Sequence, residues 1–148
     1  MPRLPLCCAL VFLLLAGPAR AAELVLVIHG LESGEGELQI ELFGAGQRTT
    51  FPYAERGVLV ELRIPARALL APGASVSLGQ LPPGAYAIAV VHDANANGDI
   101  DRNLLGIPQE RYGFSNGAKP LLGPPSFDAA KVTVAADGVT RTEVTLTR

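Results

Sequence analysis

Glu37-Leu38-Gln39-Ile40-Glu41-Leu42 alternates polar and apolar residues without a break, and that period of two marks a strand with one buried face. Working outward, the same signal recurs. Leu24-Val25-Leu26-Val27-Ile28 is a short β-rich run, separated from the first by the turn-prone stretch Gly30 to Gly36. Val58 to Ile64 ends at Pro65, which has no N–H for a sheet ladder, and Ser75-Val76-Ser77-Leu78 alternates again. Leu81-Pro82-Pro83-Gly84 reads as a turn, and Ala85 to Val91 as a buried strand with Tyr86, Ile88 and Val90 on one face. Lys131-Val132-Thr133-Val134 and Thr140 to Thr147 read as a hairpin joined by Ala135 to Gly138. The one helical competitor, Pro65 to Ala71, is stopped by Pro72-Gly73 after a turn or two. The expectation is an all-β fold: a single antiparallel β-sandwich of about seven strands, immunoglobulin-like or prealbumin-like.

The interval from Asp93 to Phe127 breaks this pattern, being rich in Gly, Pro and Asn with little periodicity. Structureless stretches of that length inside a compact domain are usually functional or disordered. Leu104, Leu105, Ile107, Tyr112, Phe114, Leu121 and Leu122 argue for one long ordered loop packed on the sheets.

Residues 1–21 stand apart. Arg3 precedes the apolar run Leu4 to Gly17, and Ala19-Arg20-Ala21 has the A-x-A form that a signal peptidase reads. A run of about 14 residues falls short of the roughly 20 that a membrane-spanning helix needs. The segment reads as an export signal cut after Ala21. That leaves 22–148 as a single β-sandwich domain of a periplasmic or secreted protein, with no membrane span after cleavage. Cys7 and Cys8 leave with the leader, so the domain holds no disulfide and relies on its core, helped by an ion if it binds one. Loss of Arg3 and Arg20 takes the formal charge from -2 to -4. No basic cluster exists to neutralise phosphates, which argues against nucleic acid or an anionic membrane as partner. An unknown ligand or an envelope protein remains, and no feature sets the oligomeric state.

His92-Asp93-Ala94-Asn95-Ala96-Asn97-Gly98-Asp99-Ile100-Asp101 is where chemistry beyond folding is encoded. Hard cations such as Ca2+ take six to eight oxygens, and Asp93, Asn95, Asn97, Asp99 and Asp101 offer oxygens on every second residue. With Asp93 as position 1 of a calcium loop, Gly98 falls at position 6, where the sharp bend is needed, but Leu104 takes position 12, the place of the bidentate glutamate. The element before it is also a strand. The segment is therefore no EF-hand, but a candidate DxNxNGDxD calcium loop in a β setting. The competing reading is an ion-free turn, since Asn97-Gly98 accepts positive φ and Asx side chains bond their own backbone.

Catalytic readings are weaker. His92 with Ser115 or Ser126 would make a hydrolase, but adjacent strand residues point to opposite faces, so Asp93 would not orient His92. There is no G-x-S-x-G elbow. His29 and His92 lack a third zinc ligand at recognisable spacing. The chain is expected not to be an enzyme.

Leu81-Pro82-Pro83-Gly84-Ala85-Tyr86, His92-Asp93, Asn95, Asn97-Gly98, Asp101 and Leu105-Gly106-Ile107-Pro108 together resemble a bacterial exported family. So do Glu110, Tyr112-Gly113-Phe114-Ser115-Asn116 and Gly123-Pro124-Pro125-Ser126-Phe127. That family is the domain of unknown function numbered 2141, and the resemblance runs from about Leu24 to the end, most specifically between Leu81 and Phe127. It implies an exported β-sandwich without an assigned activity. The Leu-Pro-Pro-Gly-x-Tyr strand entry is also similar to transthyretin-like and carboxypeptidase-regulatory-like modules, which implies a structural or binding role. Ala94 and Ala96 replace the polar spacers frequent in the family, while the oxygen-bearing positions are kept. His92, Tyr112, Phe114, Ser115 and Asn116 then form a second candidate site, a small-molecule or glycan loop. Either Tyr112 and Phe114 anchor the loop while Ser115 and Asn116 satisfy backbone groups, or the two aromatics form an exposed patch.

Overall fold

A computed structural model describes residues 21–148. The leader read at residues 1–21 lies outside them, apart from Ala21. Eight strands form two sheets: β1 (Ala22–His29), β2 (Glu37–Gly44), β3 (Val60–Pro65), β4 (Ser75–Leu81), β5 (Gly84–Asp93), β6 (Arg111–Phe114), β7 (Val132–Val134) and β8 (Val139–Thr145). The alternating run Glu37 to Leu42 lies in β2. It lies between β3 and β5 in the five-stranded sheet, and β5 carries β6 and β7 along its other edge. The three-stranded sheet has the order β4-β1-β8.

Three expectations are corrected. The antiparallel rule fails in the smaller sheet, where β1 and β8 run parallel from Glu23↔Val139 to His29↔Thr145. The first and last of the described strands lie side by side there, and no hairpin forces them to oppose. The expected β7–β8 hairpin is absent among the described residues: β7 pairs with β5 and β8 with β1, so Ala135 to Gly138 crosses between sheets. A short polar connection looks the same in sequence whether it reverses the chain or changes its sheet. The third concerns the long loop, which contributes an eighth strand, β6, and leaves its leucines outside. Leu104 and Leu122 are fully exposed, with Leu105 and Leu121 nearly so and Ile107 about half exposed.

Leu24, Leu26 and Ile28 of β1 meet Leu38, Ile40 and Leu42 of β2 and Ile88 and Val90 of β5 in one core. Odd-numbered residues of β5 face the other way. Ala87 and Ala89 pack there with Phe43, Phe51, Phe114 and Phe127. Phe51 is the hub, its ring 5.1 Å from Phe43, 5.9 Å from Phe114 and 6.1 Å from Phe127, all edge-to-face. Burial on both faces explains why Ala85 to Val91 reads as an unbroken apolar run. Burying a side chain such as Phe127 contributes about 1.5–3 kcal/mol, and this second core ties the chain on either side of β3 and β6 to the sheet. Pro65 ends β3, and the expected helical competitor is a single 3-10 turn at Ala66–Leu69.

Candidate functional site

The outer face of the five-stranded sheet holds a groove of about 930 Å³. Register sets its floor. One row across the sheet runs Glu61, Glu41, Ala89, Phe114, because Glu41 pairs with Glu61 on β3 and with Ala89 on β5, and Ala89 pairs with Phe114. The next row runs Arg63, Gln39, Val91, Tyr112. Ala89, between Glu41 and Phe114, is itself buried against the phenylalanine cluster, so the open part of the groove lies to either side of it. Pro52 to Glu55 wall one side, Gly98 to Arg102 with Pro108 another, and Pro120, Gly123 and Pro124 the remainder.

The floor is chemically divided. Glu61 accepts from Arg63 Nε at 3.0 Å, and Arg63 Nη1 donates to Glu37 at 3.0 Å. Glu41 makes no hydrogen bond or ion pair among the described residues, although it stands directly opposite Glu61. Burial first, then the charges of Glu61 and Glu55, push its carboxyl from 4.5 up to about 7, with Arg63 acting in the opposite sense. Like charges directly opposite on neighbouring strands are destabilising, so this pair is a cost the fold carries. Val91 and the ring of Tyr112, which lies 5.8 Å from that of Phe114, make the other end apolar.

The acidic loop adjoins this groove. The Asp93 carboxylate is wholly buried and accepts from Gly98 N (2.7 Å), Gln39 Nε2 (3.1 Å) and Asn97 N (3.2 Å). Asn95 Nδ2 and Asn97 Nδ2 donate to the two oxygens of Asp101, at 2.7 and 3.0 Å. The side-chain oxygen of Asn95 accepts from Asn97 N at 3.1 Å, and that of Asn97 from Asp99 N at 2.9 Å. Glu110, buried beneath, accepts from Ala94 N at 3.2 Å and Asp101 N at 3.4 Å. Burial and the nearby Asp93 and Asp101 raise its pKa, and the two backbone donors pull it back. Asp93, Asn95, Asn97 and Asp101 therefore come together. Asp99 turns away and lines the groove instead. Among the described residues no group of three or more His, Cys, Asp or Glu side chains converges as a metal cluster. The bend at Gly98 (φ 85°) is the expected one, but Ala96 (φ 54°) also takes the left-handed region, which the sequence did not announce.

His92 is not brought to either serine. Its Nε2 donates to the carbonyl of Glu35 at 2.8 Å. Ser115 Oγ accepts from Ile88 N at 2.9 Å and donates to the carbonyl of Ala130 at 2.6 Å. Since Ile88 precedes His92 by four strand residues, serine and histidine stand roughly 13 Å apart along β5. Ser126 caps a single helical turn, Phe127–Ala130, by accepting from Ala129 N at 3.2 Å. Of the second candidate set, Phe114 and Ser115 are buried, Tyr112 is half-buried, and Asn116 donates to the carbonyl of Ala129 at 2.9 Å. These residues anchor the chain, and of them only Tyr112 and Phe114 reach the groove. Sequence reasoning missed Glu41, Glu61 and Ala89. Each looks ordinary until register sets them side by side.

Comparison with known proteins gives one family. A model described as "Uncharacterized protein conserved in bacteria (DUF2141)" matches residues 26–143. No curated protein and no solved structure matches the chain.

Proposed function

Because the chain belongs to that bacterial family, which carries no assigned activity, we propose from its own geometry that it is a non-catalytic, ligand-binding module of the bacterial envelope. In this reading residues 1–21 are an export signal, and 22–148 form one domain whose sheets stack as an immunoglobulin-like or prealbumin-like β-sandwich, working in the periplasm or outside the cell. The groove on the outer sheet face carries the proposal. It is concave, partly apolar and walled by long loops, and its volume of about 930 Å³ suits a small organic molecule. Its position beside Tyr112 supports the ligand-loop alternative, with the binding surface moved from Ser115 and Asn116 onto the sheet. Titrating the isotope-labelled mature protein with 4-phenylbutanol, a neutral probe with an apolar ring, tests it. Amide shifts should move at Ala89, Val91 and Tyr112. Movement confined to other surfaces would refute the groove.

The acidic loop supports an accessory part of this reading, a Ca2+ held by Asp93, Asn95, Asn97 and Asp101, with the fifth expected ligand, Asp99, turned to the groove instead. The donor chemistry fits a hard cation at the Asp101 carboxylate, whose two oxygens the ion would take over from the Asn95 and Asn97 amide groups. There the ion would brace one wall of the groove.

A further inference from the structure

The floor of the groove is split along one cross-strand row, and that split specifies a ligand. At one end Glu41 makes no hydrogen bond or ion pair among the described residues, and its neighbour Glu61 is engaged by Arg63. At the other end, beyond the buried Ala89, lie Phe114 and, in the next row, Tyr112. Two strand spacings separate Glu41 from Phe114, about 10 Å. Resting on the groove reading above, we propose that the ligand is an organic cation: an ammonium or guanidinium group seated on Glu41, with an apolar body lying along the groove toward Tyr112.

Three observations support this class over a neutral or anionic one. Four acidic side chains line the groove, Glu41, Glu55, Glu61 and Asp99, against two basic ones, Arg63 and Arg102. Both basic groups are engaged, Arg63 by Glu37 and Glu61 and Arg102 by the carbonyl of Gly106 at 3.0 Å. The excess charge is negative, and of the acidic groups that carry it Glu41 is the half-buried one on the sheet floor. A cation there would relieve the repulsion between Glu41 and Glu61 that the empty fold carries. From the elements around it, Glu41 faces Glu61 and Arg63 of β3 and Glu55 of the wall, while β5 opposes it with the uncharged Ala89.

The test measures dissociation constants of 4-phenylbutylammonium, 4-phenylbutanol and 4-phenylbutyrate for the mature protein and for Glu41→Gln, at pH 6 and pH 8. Amide shifts of Ala89, Val91 and Tyr112 report where each binds. The ammonium should bind the native protein at least about tenfold more tightly than the alcohol at pH 8. With Glu41 titrating at about 7, its ionised fraction falls about tenfold from pH 8 to pH 6, and ammonium affinity should fall by a similar factor. Glu41→Gln should erase both the preference and the pH dependence while still binding the alcohol. Equal binding of ammonium and alcohol at the same amides, or tightest binding of the carboxylate, would overturn the cation and leave the groove standing. No movement of those amides with any of the three probes would overturn the groove reading and the cation with it.

Discussion

Replacing Glu41 with glutamine should make the protein more stable, and only above the pH at which the carboxyl ionises in the unfolded chain. In the folded state its pKa is raised from 4.5 to about 7, chiefly by burial and secondarily by Glu61 and Glu55. Below about pH 4.5 the group is protonated whether folded or unfolded, so it contributes no difference. Between 4.5 and 7 the unfolded chain ionises while the native state holds its proton, and stability falls across that window. Above about 7 the loss is complete and constant. A shift of this size corresponds to about 3.4 kcal/mol at full value. Water reaches a good part of the carboxylate, so about 1.5–2 kcal/mol is the better expectation. For a chain of this length that is about 5–7 °C in Tm. Urea unfolding of native protein and Glu41→Gln at pH 4, 5.5, 7 and 8.5 measures it. The two should coincide at pH 4, and the variant should gain steadily to pH 7 and hold its gain beyond. A difference independent of pH, or a less stable variant at pH 8.5, would refute the reasoning. Glu61→Gln should lower the midpoint of Glu41 followed by carboxyl NMR, since it removes the second cause of the shift.

Gly36 takes φ +64°, and a Cβ there would stand 2.0 Å from the carbonyl oxygen of Asp93, so Gly36→Ala should cost at least about 2–3 kcal/mol and displace the start of the acidic loop, read by thermal unfolding and by amide shifts at Asp93 to Asn97. Ser115→Ala leaves Ile88 N–H and the Ala130 carbonyl without their side-chain partner in the interior, and should cost about 1–3 kcal/mol in chemical denaturation. Chelator-treated mature protein given calcium at about 100 times its dissociation constant should gain about 2.7 kcal/mol, close to 8–10 °C, if the loop takes the ion as proposed. Asp101→Ala should abolish that gain. It is a cleaner control than Asp93→Ala, because Asp93 also accepts three hydrogen bonds that the fold needs without any ion. An unchanged Tm with calcium would leave the loop as an ion-free Asx turn.

The strands were legible where local pattern decides them. Glu37 to Leu42 alternates because one face of β2 meets the core, and Ala85 to Val91 does not because β5 is covered on both faces. What escaped was set by partners distant in sequence. Nothing local to Val139–Thr145 says that it runs parallel to β1, and nothing local to Arg111–Phe114 separates a four-residue strand from the loop around it. The acidic loop was half legible: spacing announced the oxygens of Asp93, Asn95, Asn97 and Asp101, but not that backbone N–H groups already occupy the Asp93 carboxylate. The groove was illegible, because Glu41 and Glu61 are twenty residues apart and each reads as the solvent-facing half of an alternating strand. Only register makes them a pair.

That contrast locates function better than any motif in the chain. Where local pattern and final structure agree, the residue serves folding, as Ile40 and Ile88 do. The disagreements gather around the groove: a carboxylate pair that repels, and leucines carried outward on loops whose neighbouring residues wall it. Both are unfavourable for the isolated fold, and folding alone supplies no reason to keep them. A ligand that brings a positive charge to Glu41 would offset the first. Because that gain requires the ligand, Glu41→Gln should raise stability and lower affinity together. A variant that gained stability and kept its affinity for the ammonium probe would break the link between the two.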